Sequence, residues 1–291
     1  MSTTLDPALL LIAHGTRDPA GPREMAQLVE HLRQRLPGPV AAAWLEDFAD
    51  PDPVAAAGDM VAAGATSMVT LPFLLLGAGH AKTDVPGHVH QIRKRYPQTT
   101  VAHGRVLGLH HRLLAFASDR VGAVSDDPEN EALVVTGPGS SDPDANGDLA
   151  KAGRMLAEQT GHRWVEIAYA GVTWPRADET FARLQRAGAR LIIRFSWSLL
   201  AGVLERRVDR WAADATDRYG IEIRDAGRFG PVPAVAAAVV DRYREALAGD
   251  ARMNCDLCAY RLPLSGLEDR VGAPSAGGLG TAVHPTARRL G

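Results

Sequence analysis

Three features of this 291-residue sequence predict an α/β fold of two tandem doubly wound parallel-sheet domains related by internal duplication. Apolar runs of strand length alternate with amphipathic stretches of helical length, the rhythm of βαβ units. Several runs break directly into glycine and proline, so the chain turns where an open parallel sheet places its ligands. The turn residues then recur at a fixed offset, which makes the second half a copy of the first.

In chain order, Leu9-Leu10-Leu11-Ile12-Ala13 is a strand that stops at His14, and Gly15 and Pro19 force the turn. Pro22–Leu36 carries Met25, Leu28, Val29, Leu32 and Leu36 at helical spacing, and Pro37-Gly38-Pro39 ends it. Val40–Leu45 is a second strand closing on Glu46, and alanine-rich Val54–Ala63 is a helix stopped by Gly64. Met68–Leu75 is a third strand, running into Gly77-Ala78-Gly79-His80. A helix over Val85–Tyr96, a short strand near Thr100–Ala102 and a helix over Leu109–Val124 complete the first domain, residues 1–124. The polar stretch Ser125–Glu131 reads as a linker, and Leu133–Gly137 begins the pattern again in a second domain, residues 132–249.

The repeat has one offset throughout. Gly15 pairs with Gly139, Asp18 with Asp142 and Pro19 with Pro143, each 124 residues apart (139 − 15). The same offset pairs Pro51 with Pro175 and Ala63-Gly64-Ala65 with Ala187-Gly188-Ala189. His14, however, faces Pro138, Glu46 faces Ala170 and His80 faces Leu204. The residues that shape the backbone are kept in both copies, while the polar strand-end side chains occur in the first alone. The chemistry is therefore expected in the first domain. Two imidazoles and a carboxylate at neighbouring strand ends suit iron, cobalt, nickel or zinc. Each residue alone has a plainer reading, as a hydrogen-bonded or solvated strand-end side chain.

A formal net charge of −2 supplies no strong positive field, which argues against nucleic acid as a partner. No apolar run approaches the roughly 20 residues that span a bilayer, so no membrane partner is expected. The first residues lack the basic start and apolar core of a signal peptide, and two cysteines exclude a disulfide framework. A cytoplasmic location is expected.

Ala13-His14-Gly15-Thr16-Arg17-Asp18-Pro19 and the segment Leu71–Pro86, with its Gly77-Ala78-Gly79-His80-Ala81-Lys82, resemble the two signature segments of the sirohydrochlorin chelatases. The second half, with Gly139-Ser140-Ser141-Asp142-Pro143 and Leu200–Leu204, resembles the non-catalytic half of the two-domain members. The resemblance covers about residues 8 to 262. It implies a class II chelatase-like fold and a lyase that inserts Fe²⁺ or Co²⁺ into a cyclic tetrapyrrole with release of two protons, for siroheme or cobalamin biosynthesis. His14 and His80 match the signature histidines that handle the metal, and Glu46 matches the acidic residue ending the second strand, as base or as ligand. The chain lacks the histidine-rich tract of some cobalt-associated members, which tilts the expectation towards Fe²⁺.

Sirohydrochlorin carries eight carboxylates, so its site needs cations or N–H donors. Arg17 and Lys82 flank the two histidines, and Arg194 and Arg206 lie near the equivalent strand end of the second half. Each also reads as an ordinary surface charge. Ser140 and Ser141 precede a helix whose first amides can take a carboxylate, or they serve simple capping.

Residues 250–291 leave the α/β pattern, and from Gly272 the composition predicts disorder. Cys255 and Cys258 form a CxxC, two thiolates where zinc or an iron–sulfur cluster takes four protein ligands. The residues leave open a site shared across a homodimer, a redox pair, or no site. Long members of the family with a similar MxCxxC imply an iron–sulfur cluster. The other histidines, His88, His90, His110 and His111 among them, have no comparable setting and are expected at the surface. Two further readings compete: a non-catalytic metal or tetrapyrrole carrier, and a histidine phosphatase. The second is disfavoured because those enzymes place an arginine directly before the histidine, where Ala13 stands here.

Overall fold

The computed structural model describes residues 6–46 and 49–251. Four parallel strands, β1 (Ala8–Ala13), β2 (Val40–Trp44), β3 (Ser67–Phe73) and β4 (Thr100–His103), form a sheet of order β2-β1-β3-β4. A second sheet holds β5 (Ala132–Gly137), β6 (Trp164–Tyr169), β7 (Leu191–Ser196) and β8 (Glu222–Arg228) in the order β6-β5-β7-β8, also parallel. In each sheet the order reverses beside the first strand, and this switch point opens a crevice at the strands' carboxyl ends.

The helices are α1 (Ala20–Arg33), α2 (Pro53–Ala62), α3 (Val85–Arg95), α4 (His111–Gly122), α5 (Pro143–Thr160), α6 (Ala177–Arg186), α7 (Val203–Tyr219) and α8 (Pro233–Leu247). The repeat read from the sequence is the repeat of the fold: β1 and β5, β2 and β6, and α2 and α6 all begin 124 residues apart (132 − 8). β1 and β5 are buried along their whole length, as strands covered on both faces must be. Ala8, Leu10 and Ile12 on one face of β1 pack into a core with Ala56, Met60 and Val89, drawn from α2 and α3. Ala132 and Val134 do the same in the second sheet with Phe181 and Leu184 of α6.

The compact units exchange segments relative to the sequence repeats. Of the described residues, one unit contains 6–16, 25–46, 49–108 and 236–251, the other 17–24 and 109–235. Helix α4 therefore packs with β7, β8 and α5, although it ends the first repeat. Helix α8 ends the second repeat yet joins the first unit: the Arg242 guanidinium donates to the Val106 and Leu107 carbonyls at 3.1 and 2.7 Å, and the Tyr243 hydroxyl to Pro7 O at 2.6 Å. Residues 17–24 are drawn to the second unit by their carboxylates. Asp18 takes a bidentate pair from Arg206, and Glu24 pairs with Arg228 and accepts from the Ala201 amide.

Candidate metal centre

The site is assembled at the carboxyl ends of β1, β2 and β3. β1 ends at Ala13, and the next residue, His14, leaves the sheet. Two ladder bonds continue past the end of β2, from Leu45 N to Ala13 O at 2.9 Å and from Glu46 N to His14 O at 3.1 Å. They fix Glu46 beside His14. Gly15 follows at φ +105°, and a Cβ there would stand 3.0 Å from the Glu46 Cβ. Glycine is thus needed twice over, for the left-handed backbone and for the close approach of Glu46.

His80 arrives differently. The sequence places it in a glycine-rich loop after β3; the structure instead starts a helix on it. His80–Asp84 is one wide π-helical turn that runs straight into α3. Such turns are rare and tend to mark functional sites. Here the turn brings His80 and Asp84 onto one side, with His80 Nδ1 2.5 Å from Asp84 Oδ2. The Thr83 hydroxyl lies 2.7 Å from Gly79 O and 3.1 Å from the other oxygen of Asp84, steadying the carboxylate.

The result is a compact donor set. The donor atoms of His14, Glu46 and His80 all lie within 4.8 Å of one another. The two imidazoles meet edge to face, with centroids 4.4 Å apart and planes at 87°. His80 Nε2 is 3.9 Å from Glu46 Oε1, too far for a hydrogen bond. Two metal–ligand bonds of about 2.1 Å each can bridge that separation. With Nδ1–H donated to Asp84, His80 has Nε2 on the side of Glu46, and the ring ligates through that nitrogen when it is unprotonated. His14 Nδ1 sits 3.1 Å from Gly15 O, an arrangement that likewise leaves Nε2 as the ligating atom.

The electrostatics follow from these contacts. The close packing of atoms around the His14 ring, and then the neighbouring His80, push its pKa below the ordinary histidine value, which favours the neutral, ligating form. His80 is shifted the other way, chiefly by its hydrogen bond to Asp84, which outweighs burial. Burial works to raise the Asp84 carboxyl, but the hydrogen bond and charge of His80 together with Thr83 hold it below the usual carboxylate range. Two carboxylates match the charge of a divalent cation, and the two imidazoles join the donor set when unprotonated at Nε2.

Asp84 is the residue of this cluster that the sequence reading misses. Its signal is the spacing His80-x-x-x-Asp84, informative only once the segment is known to be helical. Lys82 lies half-buried on the same turn, and Arg17 is exposed. Arg194 lies within β7 and not at its end. Its side chain is 4% exposed and bonded to Asp209 at 2.7 Å and Asp225 at 2.8 Å. Arg206 is engaged by Asp18, whose carboxyl it pulls down to about 2, with help from the Ala20 amide.

Ser140 is a turn residue. Its hydroxyl accepts from Asp142 N at 3.0 Å, its own amide donates to Asn146 Oδ1 at 3.0 Å, and Asp142 caps α5 by accepting from Asp144 N. Ser141 is exposed. Of the histidines expected at the surface, His111 is exposed and His88 and His90 are half-buried. His110 is buried, and its Nδ1 accepts the Arg112 amide at 3.2 Å to cap α4. Cys255 and Cys258 lie outside the described residues. No helix among the described residues is long and apolar enough to cross a membrane.

A model of the CbiX family matches residues 8–124 and again residues 132–246, the two copies that the repeat marks out. A sirohydrochlorin cobaltochelatase of Priestia megaterium is 35% identical over 261 residues, covering 88% of this chain and 85% of that protein. A sirohydrochlorin ferrochelatase of Bacillus subtilis (strain 168) is 25% identical over 241 residues, covering 83% of this chain and 92% of that protein. Among solved structures, SirB from Bacillus subtilis with Fe³⁺ matches with a TM-score of 0.74 and 26% identity, over 84% of this chain and 97% of that one. In sequence and in fold, this chain belongs to the CbiX family of sirohydrochlorin chelatases.

Proposed function

We propose that this chain is a sirohydrochlorin chelatase that inserts Fe²⁺ or Co²⁺ into the tetrapyrrole and releases two protons, serving siroheme or cobalamin biosynthesis. The observation that carries this reading is the His14–Glu46–His80 donor set, with Asp84 orienting His80. Two imidazoles and one carboxylate suit either ion. The relative of higher identity has cobalt in its name and that of lower identity has iron, so both metals belong in the assay.

In this mechanism the two imidazoles hold the incoming ion through Nε2, and Asp84 keeps His80 in the ligating tautomer. Two pyrrole N–H bonds break as metal–nitrogen bonds form, with no change of oxidation state. Glu46 accepts the two pyrrole protons in turn and passes each to water, a role its position beside both histidines allows. Lys82, on the His80 turn, is the first candidate to hold a substrate carboxylate, and Arg17, three residues after His14, is the second.

Turnover separates an enzyme from a carrier. The protein is mixed anaerobically with a fifty-fold excess of sirohydrochlorin and of Fe²⁺ or Co²⁺, and the macrocycle absorbance is followed. Metallation of many equivalents, above the protein-free rate, is the expected result. A single equivalent followed by a stop would make the protein a carrier, and the background rate with both metals would refute the chelatase reading.

A further inference from the structure

The second unit carries a site of its own where the first unit carries acid. At the 124-residue offset in the sequence, Glu46, Asp47, Asp50 and Asp52 correspond to Ala170, Gly171, Trp174 and Arg176, which lie in the loop after β6. Four carboxylates are thereby lost, and an indole and a guanidinium gained. On the facing helix, Thr83 and Gly87 become Arg207 and Trp211. These substitutions converge on an open cavity of about 480 Å³ bordered by the loop and α7.

Its wall is built of aromatic surface and positive charge. The Arg176 guanidinium lies 4.9 Å from the centre of the Trp211 ring and that of Arg207 6.0 Å from it. Asp178 pairs with Arg176, its Oδ2 2.8 Å from Nη2. Arg207 has no carboxylate partner among the described residues, and its Nη1 donates to the Ala170 carbonyl at 3.1 Å. A cation is therefore anchored on the residue that corresponds to Glu46.

The loop exposes what a folded chain normally hides. Trp174 is 70% exposed and Val172 68%. Val172 also has φ +65°, with the Thr173 amide bonded to Gly171 O at 2.7 Å across it. A β-branched residue held in the left-handed region is strained, and such strain clusters at ligand-binding sites. Gly139, at φ +84°, lets the β5 turn press against the Gly171 carbonyl, where any Cβ would collide. The tip is thus held in place from behind.

We infer that the cavity between the 170–176 loop and α7 binds a flat, carboxylate-bearing aromatic macrocycle, with exposed Trp174 meeting its face and Arg207 and Arg176, the latter backed by the Trp211 ring, meeting its carboxylates. Indole surface and planar guanidinium are the groups that recognise such a molecule. The identity of the macrocycle rests on the chelatase reading; the class of ligand rests on the cavity. Metal-free sirohydrochlorin and metallated product share this chemistry, and separate titrations distinguish them.

The test is anaerobic titration of the full chain with metal-free sirohydrochlorin, read by quenching of tryptophan fluorescence and by macrocycle absorbance. It is repeated with the cobalt-loaded macrocycle and with the uncharged octamethyl ester. Arg207→Gln and Trp174→Ala change exposed side chains, and their thermal unfolding should match wild type. Arg207→Gln is expected to raise Kd for the charged macrocycle about tenfold, the effect of losing one charge-assisted contact, and Trp174→Ala about tenfold for charged macrocycle and ester alike, through lost aromatic contact. Arg207→Gln should leave the ester unaffected. Unchanged Kd in both variants overturns the inference, as does a change confined to self-association in sedimentation. Wild-type metallation is followed in parallel. Arg207-dependent binding without metallation would refute the chelatase reading and keep the site; metallation with unchanged Kd in both variants would do the reverse.

Discussion

Replacing Asp84 by asparagine should weaken metal binding and, at the same time, shift its pH dependence towards acid. The carboxylate touches no candidate ligand atom facing the metal position; it holds His80 from behind, 2.5 Å from Nδ1. Removing such an outer partner typically lowers metal affinity about 10- to 100-fold, or about 1.4 to 2.7 kcal/mol. The pH effect has the opposite sense. Ligation needs His80 Nε2 unprotonated, so binding is lost as pH falls through the pKa of His80, which Asp84 raises above 6.5. Without the charge that pKa falls, and the acid limb moves down with it. Co²⁺ binding followed by its visible absorption between pH 5.5 and 8.5 reads both quantities. Weaker binding at pH 8.5 with a lower midpoint is expected. Unchanged affinity at pH 8.5, or a midpoint that stays or rises, would refute the role given to Asp84.

Gly15→Ala forces a Cβ into the left-handed region and within 3.0 Å of the Glu46 Cβ. It should destabilise the fold by about 1–3 kcal/mol in urea titration and also weaken Co²⁺ binding; wild-type values for both would contradict the geometry. Asp18, held at about 2 by the Arg206 hydrogen bond, contributes stability that is fully present above about pH 4 and lost as pH falls through about 2. Arg206→Ala should therefore move the acid-unfolding midpoint to higher pH, and an unmoved midpoint would show the pair to be idle. Glu205 is pushed up to about 7 by burial, against the pull of Arg228, so the folded state binds its proton more tightly and stability drains as pH rises from about 4.5 to 7. Glu205→Gln should flatten that slope in urea midpoints measured at pH 5 and pH 8, and an unchanged slope would refute the assignment.

The elements and the candidate His14–Glu46–His80 cluster were legible in the sequence because their signals are local. Leu9–Ala13 reads as a buried strand from five consecutive residues, and Gly15 and Pro19 mark its end without reference to anything distant. The offset of 124 residues then singled out the three clustered residues by contrast, since a duplicated scaffold keeps Gly139 and drops the counterparts of His14, Glu46 and His80. The exchange of α4 and α8 was not legible. An amphipathic stripe states that a helix is covered on one side, and two sheets built from the same repeat offer it equivalent surfaces. Asp84 was hidden for a different reason: Gly77 and Gly79 signal a loop, and the π-helical turn that follows them pairs Asp84 with His80 only through its own geometry. Arg194 misled because its partners, Asp209 and Asp225, are brought to it by α7 and β8, and no local pattern announces them.

The central claim is that His14 and His80 hold the metal that enters the tetrapyrrole. The initial rate of sirohydrochlorin metallation, measured anaerobically with Co²⁺ and with Fe²⁺ for wild type, His14→Ala and His80→Ala, tests it most directly. Catalysed insertion by wild type, falling to the protein-free rate in both variants while each keeps the wild-type unfolding transition, is the predicted result. Wild-type rates in either variant would contradict it.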